Sequence, residues 1–238
     1  MPGAGALISD SWKFFVSNWN ASVKTSLLFL YAGLLVFAAS VLIKYFPSLT
    51  LVYNLIWVLV GIGCLWIGIR LFLTMLNLEA GKKPLSAKAE SLKALSIFFP
   101  FLWVAILSGL VIFGGLVLFI IPGIYFSVVL YFSQIIFIDK NIRGTQALAA
   151  SRALVKGRWW PTLWRIMAGG VVFGIFVAVI NELALSIFSQ IALLAKLPTE
   201  DPMILGGAFV VSMAVQAAFA PLAIGFQIKL YRALQKTK

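Results

Sequence analysis

The sequence contains no histidine and only one cysteine, Cys64, among its 238 residues. Histidine is the commonest general base and metal ligand near neutral pH, so its absence removes most routes to triad or metal-dependent chemistry. A lone cysteine forms neither a disulfide within the chain nor a cysteine-based metal site. Motifs such as HExxH and the phosphate-binding glycine loop are also missing. We therefore predict no catalytic residue, no metal site and no cofactor, and we expect a protein that is not an enzyme.

Charged residues are scarce, and negative charge is the scarcest. The chain has 7 Asp and Glu against 19 Lys and Arg, while apolar residues make up 62% of it and the mean hydropathy is +1.05. A soluble domain is about half apolar and about a quarter charged. Runs such as LLVFAASVLI are apolar on every face, whereas the strands of a membrane barrel alternate. The sequence therefore predicts an all-α, polytopic membrane bundle.

Six apolar runs are long enough to cross a bilayer, since about 20 helical residues span a hydrocarbon core of about 30 Å. They cover residues 25–43, 51–76, 97–119, 124–138, 162–187 and 203–229. No charge separates the third run from the fourth, so we predict that Pro122 and Gly123 form the structural turn between them. A re-entrant pair that does not reach the far face is the alternative.

The distribution of positive charge predicts the orientation. With six spans, every Lys and Arg except Lys44 and Lys196 falls on the side that carries both termini. Positive charge marks the cytoplasmic side of membrane proteins. We therefore expect a multi-pass protein of a prokaryotic inner membrane with a cytoplasmic N-terminus and C-terminus. The same rule accounts for the net charge of +12, so we expect membrane lipids as partners and no nucleic acid. A protein partner or a homo-oligomer stays open.

An amphipathic segment precedes each pair of spans. In the first segment Ile8, Trp12 and Phe15 recur at helical spacing, and similar patterns cover residues 85–95 and 148–159. The chain thus reads as a single transmembrane domain of three units, residues 6–80, 84–141 and 143–238. Each unit is predicted to be one cytoplasmic interfacial helix followed by one transmembrane hairpin.

The third amphipathic segment, residues 145–160, carries the densest positive charge. One interpretation is that tryptophans and basic residues merely orient the bundle in the headgroup layer. The other is an anionic-lipid site, since each basic residue near the surface contributes about 1 kcal/mol. Arg70, near the inner end of its span, is expected to snorkel to phosphates or to reach Asp139. The candidate lipid contacts are Arg152, Lys156, Arg158, Arg165 and Arg70.

Residues 114–160 resemble a broad prokaryotic group of six-span proteins, which includes the membrane domain attached to some glycerophosphoryl diester phosphodiesterases. The matching features are Ile121-Pro122-Gly123-Ile124, Asp139, Ala147-Leu148, Ser151, Leu154, Lys156-Gly157 and Trp159-Trp160. Ser133 or Gln134 stands where the group's pattern has a proline. The resemblance implies a membrane architecture. It does not imply phosphodiesterase activity, because the soluble domain of the fused relatives needs roughly 250 further residues.

Ionisable and amide side chains inside the bilayer are candidates for function. Asn181, Glu182 and Ser186 share one broad helix face, and Gln216 lies deep in the last span. They are candidates for a polar vestibule at the outer side, where Glu182 meets Lys44 or Lys196. The alternatives are an interfacial helix end for the first three residues and interhelical packing for Gln216.

From these observations we expect a non-enzymatic scaffold, lipid-organising or accessory protein that acts in the inner-leaflet headgroup layer. A channel or transporter for a small solute or lipid is the first alternative, and it requires a continuous polar cavity at Gln216 or Glu182. An intramembrane enzyme of lipid metabolism is the second, and it requires a cavity that holds two carboxylates.

Overall fold

The computed structural model describes residues 2–198 and 200–237, and the regular elements in these residues are helices. In chain order they are α1 (Ala4–Ser17), α2 (Trp19–Ser26), α3 (Leu28–Tyr45), a 3-10 turn (Pro47–Leu49), α4 (Thr50–Glu79), α5 (Ala87–Leu118), α6 (Ile120–Leu130), α7 (Ser133–Lys140), α8 (Thr145–Val155), α9 (Trp159–Leu194) and α10 (Pro202–Lys236). The predicted all-α class is confirmed.

Six helical segments of the described chain are long and apolar enough to cross a membrane. They are Trp19–Tyr45, Pro47–Glu79, Ala87–Leu118, Ile120–Lys140, Trp159–Leu194 and Pro202–Lys236. Each overlaps one predicted span, so the number of spans was predicted from hydropathy. The helices are longer than the apolar runs because they continue into polar flanking residues that lose no hydrogen bonds by staying helical. The chain thus has the helices of a multi-pass membrane protein.

The turn between the third and fourth spans is at Phe119, so the prediction for Pro122 and Gly123 was wrong by a few residues. Phe119 is extended, with φ −161° and ψ 153°, and α6 begins directly after it. Pro122 lies in the first turn of α6, where its missing N–H leaves no hydrogen bond unmade. Gly123 packs against α5, because a Cβ on it would lie 3.0 Å from the Cα of Leu116. The proline starts a helix, and the glycine permits a close approach.

The fourth span is broken into α6 and α7 at Tyr131 and Phe132. The break frees backbone groups that are costly to leave unpaired within a membrane. The Ser151 hydroxyl donates to the Val129 carbonyl oxygen (2.6 Å) and accepts from the Phe132 N–H (3.3 Å). The Gln227 amide donates to the Tyr131 carbonyl oxygen (2.9 Å). Side chains of α8 and α10 therefore pair the groups that the break exposes.

Two of the three predicted amphipathic segments, α1 and α8, are separate short helices. The second is instead the first part of α5, which starts at Ala87 after the N-cap Ser86 and continues into the span. In α1 the buried apolar side chains are Leu7, Phe14 and Phe15, so one residue of the predicted apolar face, Phe15, is buried, while another, Trp12, is 40% exposed. Hydropathy alone does not separate a buried apolar residue from an interfacial tryptophan.

The described chain divides into two compact units. The first contains Phe72–Val172, the N-terminal residues up to Asn18 and the C-terminal residues from Leu222. Its interior includes the ring pairs Phe101–Phe137 and Phe132–Tyr231, at 6.2 and 6.3 Å between centroids. The second unit contains Trp19–Leu71 and Phe173–Pro221. Trp57 and Phe209 pack edge to face in it, with ring centroids 4.7 Å apart.

Candidate functional site

The helix α8 is held by local features that the sequence supplies. Gly144 precedes it with φ +56°, and the helix ends at Val155. Lys156 caps the C-terminus, and Gly157 follows with φ +76°, a left-handed conformation that favours glycine. Lys156 and Gly157 therefore stop this helix. Lys156 thus carries its positive charge at the C-terminus of α8, where a cation interacts favourably with the helix dipole.

One face of α8 is buried and the opposite face carries the charge. Ala147, Ser151 and Leu154 are buried, and Ser151 makes the two hydrogen bonds to the break in the fourth span. Arg152 and Lys156 are exposed on the other side, four residues apart. The buried hydroxyl thus fixes the rotation of α8 about its axis, and that rotation determines where the two cations lie.

The two cations open onto a cavity of about 380 Å³, which we call the Arg152 cleft. It is lined by Tyr125, Val129, Ala149, Arg152, Ala153, Val155, Lys156, Gly157 and Trp159. Tyr125 and Trp159 stack at 6.0 Å between ring centroids, with 23° between their planes. The indole N–H of Trp159 donates to the Tyr125 carbonyl oxygen at 3.3 Å, which ties the start of α9 to α6.

The chemistry of the Arg152 cleft is that of an anion site with an apolar wall. Among the described residues that line it there is no Asp or Glu, so no carboxylate of the lining offsets the charges of Arg152 and Lys156. A guanidinium binds phosphate through paired N–H donors, and an ammonium binds it as a point charge. The alanines at 149 and 153 keep the space open beside the stacked rings. The cleft therefore suits a phosphate that carries an apolar group.

The structure does not place Arg158 and Arg165 in this cleft, which corrects the prediction that all four cations share one site. The Arg158 guanidinium donates to the carbonyl oxygens of Leu234 (3.1 Å) and Leu154 (2.9 Å). The Arg165 guanidinium donates to the carbonyl oxygens of Pro2 (2.8 Å) and Pro161 (2.7 Å). Both arginines join chain segments within the first unit. The carbonyls of Leu154 and Leu234 lie in the last turns of α8 and α10, where carbonyls have no intrahelical partner.

Arg70 is also unsuited to the predicted lipid contact. Its side chain is buried, with 6% exposed, and the guanidinium carbon lies 4.9 Å from the centre of the Trp66 ring. A buried guanidinium does not extend to headgroups. Asp139, the predicted alternative partner of Arg70, accepts hydrogen bonds from Tyr231 and Arg232. Cation–π stacking on tryptophan is one of the ways in which an arginine is stabilised away from water.

The predicted polar vestibule gains no support from the side-chain positions. Glu182, Ser186 and Gln216 are exposed and Asn181 is half-buried, so three of the four lie on the surface instead of lining an enclosed space. Lys44, which we expected near Glu182, forms an ion pair with Asp201 at 2.7 Å. Residues that share a helix face still need a neighbouring helix to close a cavity, and spacing along one helix does not predict that.

Two carboxylates that lie far apart in the sequence, Glu79 and Asp139, belong to one cluster in the first unit. Arg232 binds Asp139 through both terminal nitrogens (2.8 and 2.9 Å) and Glu79 through Nε (3.0 Å). The Tyr231 hydroxyl donates to Asp139 at 2.9 Å, and the Lys229 ammonium lies 3.8 Å from Glu79. We call these five residues the Arg232 cluster. It joins α4, α7 and α10, and its two cations balance its two carboxylates.

The sequence did not predict that Tyr125 lines the Arg152 cleft, or that Ser151 and Gln227 pair the backbone groups at the break in the fourth span. Each residue acts on a segment far along the chain, and no local pattern signals such a contact.

Within the described residues no group of three or more His, Cys, Asp or Glu side chains is placed to hold a metal ion. The chain matches no protein-family profile, no curated protein and no solved structure. The resemblance to the phosphodiesterase membrane domain therefore stays a prediction.

Proposed function

We propose that this chain is a non-enzymatic membrane protein that binds anionic phospholipid headgroups in the Arg152 cleft and so organises lipid or assists a partner in the headgroup layer. The observation that carries the proposal is the joint lining of one cavity by Arg152, Lys156, Tyr125 and Trp159. Arg152 and Lys156 pair with the phosphate, and the stacked rings of Tyr125 and Trp159 form an apolar wall for the glycerol and the first acyl carbons.

The surroundings of the cleft favour a lipid over a soluble anion. Trp160 follows Trp159 directly and is 74% exposed, and Trp164 one turn later is 67% exposed. Exposed tryptophans are typical of the headgroup level of a bilayer, where the indole is half in hydrocarbon and half in water. A headgroup at this level presents its phosphate to Arg152 and Lys156 while its acyl chains stay in the membrane.

The orientation belongs to the same proposal. We propose three hairpins, each introduced by an amphipathic segment, with the Arg152 cleft and both termini on the cytoplasmic side of a prokaryotic inner membrane. The support is the charge distribution, since only Lys44 and Lys196 of the 19 basic residues fall on the other side. The cytoplasmic leaflet is the one whose anionic lipids attract basic segments.

The proposal is tested by native mass spectrometry of the purified full chain titrated with phosphatidylglycerol or phosphatidylcholine of equal acyl length. The double variant Arg152→Gln and Lys156→Gln removes both cations of the cleft. Two cations at about 1 kcal/mol each amount to about 2 kcal/mol, so we expect phosphatidylglycerol affinity to fall roughly thirtyfold.

The matched control is Lys82→Gln with Lys83→Gln. It removes the same charge from exposed residues of the loop between α4 and α5 and leaves the Arg152 cleft intact. Phosphatidylglycerol affinity that falls equally in both double variants would mean that net charge, and not the cleft, binds the lipid. Equal affinity of the unaltered chain for the two lipids would remove the proposed headgroup selectivity.

A further inference from the structure

A second cavity of the first unit, about 420 Å³ in volume, lies beside the C-terminal end of α7. It is lined by Lys93, Ser96, Ile97, Phe137, Ile138, Asp139, Asn141 and Arg143. Two helices and one loop contribute to it: α5 supplies the lysine and the serine, α7 supplies the aspartate, and the loop before α8 supplies Asn141 and Arg143. We call it the Arg143 cavity.

Lys93 and Arg143 are available to a ligand. Both side chains are exposed, and within the described residues neither takes part in a hydrogen bond or an ion pair. This separates them from Arg158 and Arg165, whose guanidinium donors are used on backbone carbonyls. The loop that carries Arg143 is fixed by Asn141, which has φ +54° and ends α7 in the left-handed conformation. Asparagine tolerates this conformation better than most residues do.

The Arg143 cavity differs from the Arg152 cleft because its lining also includes a carboxylate, Asp139, and a side-chain amide, Asn141. The charge of Asp139 is balanced by Arg232, which donates to both of its oxygens. Tyr231 occupies a further acceptor position, and a carboxylate has about four, so one remains. The carbonyls in the last turn of α7 have no intrahelical partner and form the negative end of the helix. Cations and acceptors thus meet in one space.

We infer that the Arg143 cavity binds a zwitterionic phosphoethanolamine headgroup, as carried by phosphatidylethanolamine. The phosphate pairs with Lys93 and Arg143, and the ammonium donates to Asp139, the Asn141 side-chain oxygen and the carbonyls at the end of α7. A choline headgroup has no N–H and cannot make the second set of contacts. The inference shares with the proposed function only the headgroup layer of the membrane, and it does not depend on the Arg152 cleft.

The test is native mass spectrometry of the full chain titrated with phosphatidylethanolamine, phosphatidylcholine and phosphatidylglycerol of equal acyl length. We expect phosphatidylethanolamine to bind more tightly than phosphatidylcholine, by roughly tenfold for a set of charge-assisted hydrogen bonds. The double variant Lys93→Gln and Arg143→Gln should lower phosphatidylethanolamine affinity about tenfold or more. Lys82→Gln with Lys83→Gln, which has the same charge change, should leave this affinity unaltered.

A second variant tests the acceptor side without disturbing the Arg232 cluster. Asn141→Gly keeps the left-handed backbone and removes the side-chain amide, so it should narrow the preference for phosphatidylethanolamine over phosphatidylcholine. Equal binding of the two lipids by the unaltered chain, or unaltered phosphatidylethanolamine affinity in the Lys93 and Arg143 double variant, would overturn the inference. Binding of soluble phosphoethanolamine without binding of the lipid would assign the cavity to a free phosphomonoester and overturn the lipid assignment.

The outcome is separable from that of the proposed function. Loss of phosphatidylglycerol binding in the Arg152 and Lys156 double variant reports on the Arg152 cleft alone. Loss of phosphatidylethanolamine binding in the Lys93 and Arg143 double variant, with phosphatidylglycerol binding retained, supports the Arg143 cavity whether or not the cleft binds lipid.

Discussion

The Ser151 hydroxyl donates a hydrogen bond of 2.6 Å to the Val129 carbonyl oxygen and accepts one from Phe132, so a serine of α8 closes the gap between α6 and α7. The side chain is fully buried. This relationship couples the break in the fourth span to the helix that carries Arg152. The position of the Arg152 guanidinium therefore depends on a hydroxyl on the buried face of α8.

Replacing Ser151 with alanine is expected to destabilise the protein by about 1 to 3 kcal/mol, because it leaves a buried carbonyl and a buried N–H without this partner. Thermal unfolding in detergent measures the change. Ser91→Ala is the control, since the Ser91 hydroxyl donates to the Ala87 carbonyl within its own helix in a solvent-exposed hydrogen bond. Similar unfolding of the two variants would mean that the bridge to the fourth span contributes little.

The Arg232 cluster predicts a loss of stability when Arg232 is replaced. Arg232→Gln leaves Asp139 and Glu79, whose side chains are only 17% and 16% exposed, without their main cation. Losing one partner of a largely buried ion pair costs about 3 kcal/mol or more. Arg232→Lys should recover only part of this because an ammonium cannot bind both carboxylate oxygens in parallel. Lys236→Gln, at the exposed end of α10, is the control in the same unfolding assay.

Close packing of α5 and α6 predicts that an alanine destabilises the protein at Gly123 and does not at Gly114. A Cβ on Gly123 would lie 3.0 Å from the Leu116 Cα, and one on Gly115 would lie 3.1 Å from the Gly123 Cα, and backbone atoms at such distances have to move. Gly123→Ala should destabilise the protein by about 1 to 3 kcal/mol. Gly114→Ala meets no atom within 4 Å and should be neutral or slightly stabilising. The reverse order of unfolding temperatures would contradict the packing.

The ion pair between Lys44 and Asp201 in the second unit predicts a pH dependence. The hydrogen bond from Lys44, with a second from the Met203 N–H, holds the pKa of Asp201 below its usual 3.8. A lowered folded-state pKa adds stability that is present above pH 3.8 and is lost as the pH falls through the lowered value. Asp201→Asn should therefore unfold at a lower temperature than the unaltered chain at pH 7.

The difference between the Asp201→Asn variant and the unaltered chain should shrink below pH 3.8, the ordinary pKa of the carboxyl. Lys44→Gln should converge with the unaltered chain over the same pH range, because it removes the same bond from the other side. A difference in unfolding temperature that stays constant from pH 7 to pH 3 in both variants would show that protonation of Asp201 does not change the stability of the protein.

The sequence predicts the spans well because hydropathy is a local property that a helix reports residue by residue. The end of α8 was predictable for the same reason, since Lys156 and Gly157 carry the signal in two adjacent residues. Pro122 misled the prediction because a proline stops one helix or starts the next equally well. Its position after the extended residue Phe119 became evident only from the structure.

The candidate site was predictable only in part. Arg152 and Lys156 share a helix face, so their proximity follows from spacing. The density of positive charge in this region added Arg158 and Arg165 to the prediction, but their carbonyl partners at Leu234 and Pro2 lie 76 and 163 residues away in the sequence. The aromatic wall from Tyr125 depends on how α6 packs against α8. Contacts of this range are decided by tertiary packing, and one sequence carries no local record of them.

An experimental structure of the full chain determined in phosphatidylglycerol tests lipid binding in the Arg152 cleft directly. We expect headgroup density in the Arg152 cleft, with the phosphate within hydrogen-bond distance of Arg152 and Lys156 and the glycerol against Trp159. Ordered lipid elsewhere on the protein, together with an Arg152 cleft that is empty or closed by its own side chains, would show that the cleft is not a headgroup site.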